Sequence, residues 1–316
     1  MNNIHGYILN GELSAKNAGS CRWGQCTEEG KEGKVYFIKE FLSPVYPLDS
    51  AEISEKILKK RKAACDKFFE AKDRYYRTLY ECQSGNNIVV CKFFRHESRF
   101  YVVTDWVEAK GMKLADIVAL DRKKKLTLLR AILYSVSVFH EKNIVHSDIR
   151  PENLIVKPTI DGYCTAKIID FDAGFLREDQ PAEVQGDFVY LAPESFMRIR
   201  NEEGELDQKI DIYALGILFH LYWSGTLPSF PKDYNYVFEA LLDGAKVTLD
   251  PTIPSDIRAL IGKMLRLDPR ERPGAASLLA ELAGKEETKV KVNTSSGKIT
   301  SDDVTGKSLH VPGDLD

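Results

Sequence analysis

The chain has 316 residues, 43% apolar and 29% charged, with 44 basic against 47 acidic side chains and a net charge of −3. This is enough chain for a two-lobed buried core, and the near-neutral balance lacks the basic excess that draws nucleic acid or an anionic membrane surface. No apolar run reaches the ~18–20 residues of a membrane span, and Met1-Asn2-Asn3-Ile4-His5 lacks the basic-then-apolar layout of a secretory leader.

Residues 7–42 read as three strands. Tyr7-Ile8-Leu9 opens the first, Cys21-Arg22-Trp23 lies in the second, and Val35-Tyr36-Phe37-Ile38-Lys39 forms the third. The polar run 27–33 between the last two predicts a hairpin turn. Lys39 closes an apolar strand, where a lone charge calls for a function. Residues 51–82 are rich in Glu, Lys, Ala and Leu, without Gly or Pro, and predict one long helix or two shorter ones behind an Asp49-Ser50 cap. Ile88-Val89-Val90 and Phe100-Tyr101-Val102-Val103 add two strands. From Leu114 the chain turns helical, and Leu128, Leu129, Ile132, Leu133, Val136, Val138 and Phe139 recur at core-facing helical spacing.

The next stretch carries the chemistry. His146-Ser147-Asp148-Ile149-Arg150-Pro151-Glu152-Asn153 precedes the apolar run Leu154-Ile155-Val156, and Ile168-Ile169 precedes Asp170-Phe171-Asp172. The two apolar runs predict a strand hairpin turning near Asp161-Gly162, which brings Asp148, Asn153 and Asp170 to one end. Three oxygen-bearing side chains there suit Mg²⁺, which takes oxygen ligands together with substrate phosphates.

These motifs resemble the eukaryotic-like protein kinases, whose catalytic loop reads H-R-D-x-x-x-x-N and whose metal motif reads D-F-G. The resemblance runs from about residue 7 to about 284. Downstream, Gly186-Asp187-Phe188-Val189-Tyr190-Leu191-Ala192-Pro193-Glu194 matches G-T-x-x-Y-x-A-P-E, Ile210–Gly216 matches the start of the family's central helix, and Arg272 stands where the family places a partner for Glu194. The resemblance implies an α+β, two-lobed fold with a five-stranded antiparallel sheet and one helix in the N-lobe and a mainly helical C-lobe. The kinase domain would cover 1–284, with N-lobe 1–104, hinge 105–110 and C-lobe 111–284. The chain's compact catalytic region and non-standard motifs are similar to bacterial members of the family.

Roles follow from the resemblance. ATP and Mg²⁺ would be the cofactors and a protein hydroxyl the acceptor. Asp148 would orient that hydroxyl and take its proton, Asn153 and Asp170 would hold the metal, and Lys39 would contact the phosphates. Gly19, the single glycine of the loop 14–20, would lie over the phosphates. Thr104 would gate the back of the pocket, the Asp105 carbonyl and Val107 amide would bond the adenine edge, and Ile155 would lie beneath it. The helix glutamate pairing with Lys39 is expected to be Glu70, with Glu52, Glu55 and Glu81 as alternatives. Glu194 and Arg272 would form a buried pair, Asp211 would cap a helix, and His146 would brace the metal loop. The sequence Pro151-Glu152-Asn153 after Arg150 resembles the Ser/Thr group.

Several positions depart from the family. Phe37 stands where an alanine usually roofs the adenine, so the ring must shift the base or rotate away. Ser147 replaces the arginine that receives an activating phosphate, and residues 175–191 contain no serine or threonine. Activity is therefore expected without phosphorylation of that segment. Arg150 and Asp187 replace a lysine and a threonine, and are expected to form a bidentate pair that orders the segment. Asp172 replaces the metal-loop glycine, which narrows the local backbone or adds a carboxylate near the metal.

Residues 285–316 change to a charged, then Ser/Thr/Gly/Asp-rich composition. They predict a flexible tail or linker that can engage a partner, with an edge strand at Lys289–Val292. The six cysteines (Cys21, Cys26, Cys65, Cys82, Cys91, Cys164) form no C-x-x-C pair and read as reduced thiols in a cytoplasmic protein without membrane or nucleic-acid partners. Two other readings compete. A pseudokinase that scaffolds or senses nucleotide would explain Phe37, the single-glycine loop and Ser147. A small-molecule phosphotransferase would explain the resemblance of Ile168–Gly174 to that group, but not Ala192-Pro193-Glu194 or Asp211.

Overall fold

The computed structural model describes residues 3–15, 21–31, 33–48, 54–82, 91–107, 111–181, 184, 186–202 and 204–292, with the backbone alone at Cys91 and 285–292. The first part of the chain forms one antiparallel sheet. Its strands are β1 (Asn3–Ile4), β2 (Tyr7–Leu9), β3 (Cys21–Glu28), β4 (Val35–Phe41), β5 (Cys91–His96) and β6 (Arg99–Asp105), in the order β1-β2-β3-β4-β6-β5. The sheet has one strand more than the sequence predicts. His5 and Gly6 both take positive φ (55° and 86°), which folds two residues back onto β2, a piece too short to show periodicity. The expected strand at Ile88–Val90 lies outside the described residues, and β5 begins at Cys91.

Side chains alternate across this sheet. Tyr36, Ile38, Phe94, Tyr101 and Val103 build a small core on the outer face with Ile4, Tyr7 and Cys26. The inner face packs Phe41, Phe93 and Phe100 against α1 (Glu55–Glu81), a single helix of 27 residues. The Asp49-Ser50 cap lies outside the described residues, and Ser54 precedes the first turn.

The second lobe is built on α2 (Leu114–Val118) and α3 (Arg122–His140), whose first turn is capped by Asp121 accepting from Lys124 N at 2.9 Å. Then come β7 (Ile144–Val145), the hairpin of β8 (Leu154–Pro158) and β9 (Cys164–Ile168), and β10 (Phe175–Leu176), which pairs with β7. Five helices complete it: α4 (Pro193–Ile199), α5 (Lys209–Ser224), α6 (Val237–Leu242), α7 (Ser255–Met264) and α8 (Ala275–Val292). Every residue of α5 from Ile210 to Trp223 is buried, as a central helix must be. The stretch expected to form an edge strand at Lys289–Val292 is the last turn of α8. Its alternation of Lys and Val is overridden by continuation of the helix. Residues 293–316 of the expected tail lie outside the described residues. No helix among the described residues is long and apolar enough to cross a membrane, and Cys21, Cys26, Cys65, Cys82 and Cys164 are free, buried thiols.

Candidate active site

The β8–β9 hairpin forms as its apolar runs predict, pairing Leu154 with Ile168 and Val156 with Ala166. It sets the catalytic loop and the metal loop side by side: Ile169 N donates to Asn153 O at 3.0 Å. Asn153 is buried, and its Nδ2 donates to both the carbonyl oxygen and Oδ2 of Asp148, each at 2.8 Å. One amide thus fixes the backbone and carboxylate of the expected base.

Two non-glycine residues here hold positive φ, Ser147 (68°) and Asp170 (61°). Such backbone persists where neighbours over-determine it. Asp211 does this for Ser147, accepting from Ser147 N through Oδ1 and from His146 N through Oδ2, both at 2.8 Å, with His140 Nε2 at 3.0 Å. Asp211 lies in the first turn of α5 but makes no cap bond of that helix. The helix-cap expectation is therefore corrected: its carboxylate is spent on the amides of the catalytic loop. His146, fully buried, meets Ile169 O through Nε2 at 3.1 Å and lies 4.6 Å from the Phe171 ring.

Lys39 reaches this loop from β4. Its ammonium donates to Asp170 Oδ1 and Asp172 Oδ2, each at 2.6 Å. Burial works to lower its pKa, but the flanking Asp172 and Asp170 carboxylates outweigh that and hold it above the ordinary lysine value. The expected partner Glu70 is not there. It is exposed on α1, and the residues of α1 that face the loop are Lys72, Tyr75 and Tyr76. Glu70 and Lys72 differ by about 200° around the helix, so both cannot face inward. Lys72 donates to Asp172 O at 2.8 Å and Gly174 O at 3.0 Å, and burial pulls its pKa down to about 8 against the Asp172 charge.

The cleft roof carries a row of rings. Phe37 stacks with Trp23 at 5.5 Å and lies 6.1 Å from Trp106, with the Lys39 ammonium 5.7 Å from its centroid. Phe37 thus neither points away from the sheet's inner face nor stands alone. Thr104 pairs with Phe37 across β4 and β6, and the Asp105 side chain is held by Lys34 at 2.8 Å. Val107 follows Trp106, whose amide donates to Val35 O at 3.4 Å. Beyond the hinge, Met112 N donates to Val156 O at 2.8 Å, tying the chain to the strand that carries the buried Ile155. Residues 16–20 of the loop, Gly19 among them, lie outside the described residues, while Ser14 pairs with Trp23.

Arg150 and Asp187 meet at 3.2 Å, Nη1 to Oδ2. The contact is single, not the bidentate one expected. Asp187 Oδ1 already accepts from Val189 N at 2.9 Å, and Arg150 Nε turns toward Asp148 Oδ2 at 3.5 Å. Farther down, Arg272 donates to both oxygens of Glu194 at 2.6 and 2.9 Å and to three backbone carbonyls, so this buried pair is fully hydrogen-bonded.

The donor set fits Mg²⁺. Asp170 Oδ2 and Asn153 Oδ1 accept no hydrogen bond among the described residues, while their partner atoms Asp170 Oδ1 and Asn153 Nδ2 are engaged. Two open hard oxygens beside a lysine suit a cation that keeps several waters and takes the rest of its shell from phosphates.

The sequence model of the family described as "Protein kinase domain" matches residues 29–282. The chain is 27% identical over 266 residues to calcium-dependent protein kinase 6 of Oryza sativa subsp. japonica, covering 81% of this chain and 46% of that protein. It is 31% identical over 196 residues to a Wee1-like protein kinase of the same rice (58% and 35%), and 27% identical over 201 residues to sperm motility kinase Z of Mus musculus (62% and 38%). The chain spans less than half the length of these relatives. They are from eukaryotes and lend no support to a bacterial affiliation.

Proposed function

We propose that this chain, which belongs to the protein kinase family, transfers the γ-phosphoryl group of ATP to serine or threonine hydroxyls of proteins. The observation that carries the reading is the Asp148–Asn153 arrangement. A single buried amide holds the carboxylate at 2.8 Å and keeps its own oxygen, with that of Asp170, open for a cation. Asp148 then orients the acceptor hydroxyl and accepts its proton, and Lys39 neutralises phosphate charge. Bound Mg²⁺, held by Asn153 and Asp170, would supply charge neutralisation on the phosphates. Thr104, the Asp105 carbonyl, the Val107 amide and Ile155 would surround the base. The Ser/Thr preference rests on Arg150-Pro151-Glu152-Asn153, and a reducing, cytoplasmic setting on the five buried free thiols.

A second reading, a nucleotide-sensing pseudokinase, is favoured by one observation: the partly buried Phe37 ring, on the face of β4 that carries Lys39, packs against Trp23 and Trp106. The deciding experiment is transfer of labelled phosphate by wild type and Asp148→Asn to a generic basic protein, with acid hydrolysis to identify the labelled residue. Loss of general-base positioning should reduce transfer by roughly 10²–10⁴-fold. Nucleotide binding should persist, read through the fluorescence of Trp23 and Trp106 beside the cleft. Binding without transfer in the wild type would select the pseudokinase.

A further inference from the structure

Lys39 is anchored by a side chain of the metal loop, while helix α1 sends a cation to the same place. In protein kinases the lysine of this strand pairs with a glutamate of the helix. Here Asp172, at the position where the family has glycine, takes Lys39 at 2.6 Å. Lys72, on the face of α1 turned to the loop, bonds the carbonyls of Asp172 and Gly174. The acid and the base have exchanged elements.

The two changes depend on each other. A lysine at 72 without Asp172 would add positive charge beside Lys39 with one carboxylate fewer to balance it. An aspartate at 172 together with a helix glutamate would crowd three carboxylates around one ammonium. As built, Lys39 and Lys72 balance Asp170 and Asp172. Asp172 is also fully committed: Oδ2 to Lys39, Oδ1 to Tyr76 Oη at 3.3 Å, and its carbonyl to Lys72. Tyr75 Oη donates to the neighbouring Phe171 O at 2.9 Å. Asp170 differs, because its second oxygen is open and serves the cation in the reading above. Of the two carboxylates on Lys39, Asp172 is therefore the one with no oxygen left open for a cation.

We propose that Asp172 is the positioning carboxylate of Lys39 in place of a helix glutamate, and that Lys72 is the clamp on α1 that fixes the backbone carrying it. The pair then runs from sheet to metal loop, and α1 is tied to that loop by Lys72, Tyr75 and Tyr76. Displacing α1 moves the loop rather than parting lysine from acid. The use of Lys39 toward nucleotide rests on the kinase reading; the pair itself does not.

The test is mass-spectrometric footprinting of Lys39 with an amine-acylating reagent, in the full chain and without nucleotide. It compares wild type, Asp172→Asn, Asp172→Gly, Glu70→Gln and the double variant Lys72→Glu/Asp172→Gly. Asp172→Asn should label Lys39 about tenfold faster and weaken ADP binding by a similar factor, the scale of one charge-assisted hydrogen bond. In active preparations KM for ATP should rise more than kcat falls. The double variant returns a carboxylate to the helix and should recover much of the protection that Asp172→Gly loses. Glu70→Gln should label like wild type. Equal labelling of Lys39 in wild type and Asp172→Asn, or new exposure of Lys39 in Glu70→Gln, would overturn the proposal. An unreactive wild type whose Lys39 is still unmasked by Asp172→Asn would refute the kinase activity and leave the pair standing.

Discussion

Gly174 has no room for a side chain. A Cβ there would overlap the hydroxyl and ring of Tyr75 and approach Val145 O to 2.9 Å. The tight fit lets Tyr75 bond Phe171 O and lets Lys72 reach the Gly174 carbonyl, so the glycine serves packing between α1 and the metal loop rather than an unusual φ. Gly174→Ala should force Tyr75 out, leave Phe171 O with only its bond from Gly174 N at 3.1 Å, and lower stability by roughly 1–3 kcal/mol, as overpacking does. Thermal denaturation of Gly174→Ala, Tyr75→Phe and the double variant checks this. If the hydroxyl is the obstacle, the double variant is more stable than the sum of the single losses predicts. Strict additivity would show that the strain lies against the ring or Val145 O rather than the hydroxyl.

The turn at Asp187–Val189, ahead of α4, is joined to the catalytic loop by a charge pair. Asp187 accepts from Arg150 on one oxygen and from Val189 N on the other, so it joins the catalytic loop to its own turn. Ser147 itself offers no charge to a phosphate, and its amide is held by Asp211. Phosphatase treatment should therefore leave turnover unchanged. Asp187→Asn, which keeps the Val189 bond but loses the charge, should lower kcat by about fivefold, the scale of one partly exposed ion pair. A large loss on phosphatase treatment, or an unaffected Asp187→Asn, would remove the pair from this role. The comparison also shows what the sequence made legible. The β8–β9 hairpin and the Asp148–Asn153–Asp170 grouping follow from short apolar runs and their spacing, and the Glu194–Arg272 pair from the resemblance to the family. The partner of Lys39 does not. Helix α1 carries Lys, Arg, Asp or Glu on almost every face, so its periodicity cannot say which charge turns inward, and the answer depends on how 27 residues rotate against the sheet. The role of Asp211 is hidden for a related reason: its amide partners lie 64 and 65 residues away, while a helix cap is the local alternative.

Across the whole molecule, α5 is the element from which distant loops are held. Near its start Asp211 fixes the catalytic loop, and near its end the fully buried His220 fixes two others. Asp250 N donates to His220 Nε2 at 2.9 Å, so that nitrogen is an acceptor. The proton sits on Nδ1, facing Thr226 O at 2.8 Å with Ser224 Oγ at 3.3 Å. The ring is therefore neutral, and a second proton would turn Nε2–H against the Asp250 amide. Burial lowers its pKa from 6.5, outweighing the Thr226 bond and the Asp250 carboxylate, which act to raise it. Because the unfolded chain takes up this proton more readily than the folded one, the contribution to stability is complete above about pH 6.5. It is lost as pH falls from there through the lowered folded value, and is constant below that. Melting curves of wild type and His220→Gln between about pH 4.5 and 8 isolate the effect, since every other titrating group is shared. The wild type should lose more melting temperature than the variant between about pH 6.5 and 5. Parallel curves would mean that His220 takes up its proton as readily folded as unfolded, and the hydrogen-bond directions at Asp250 and Thr226 would have to be reassigned.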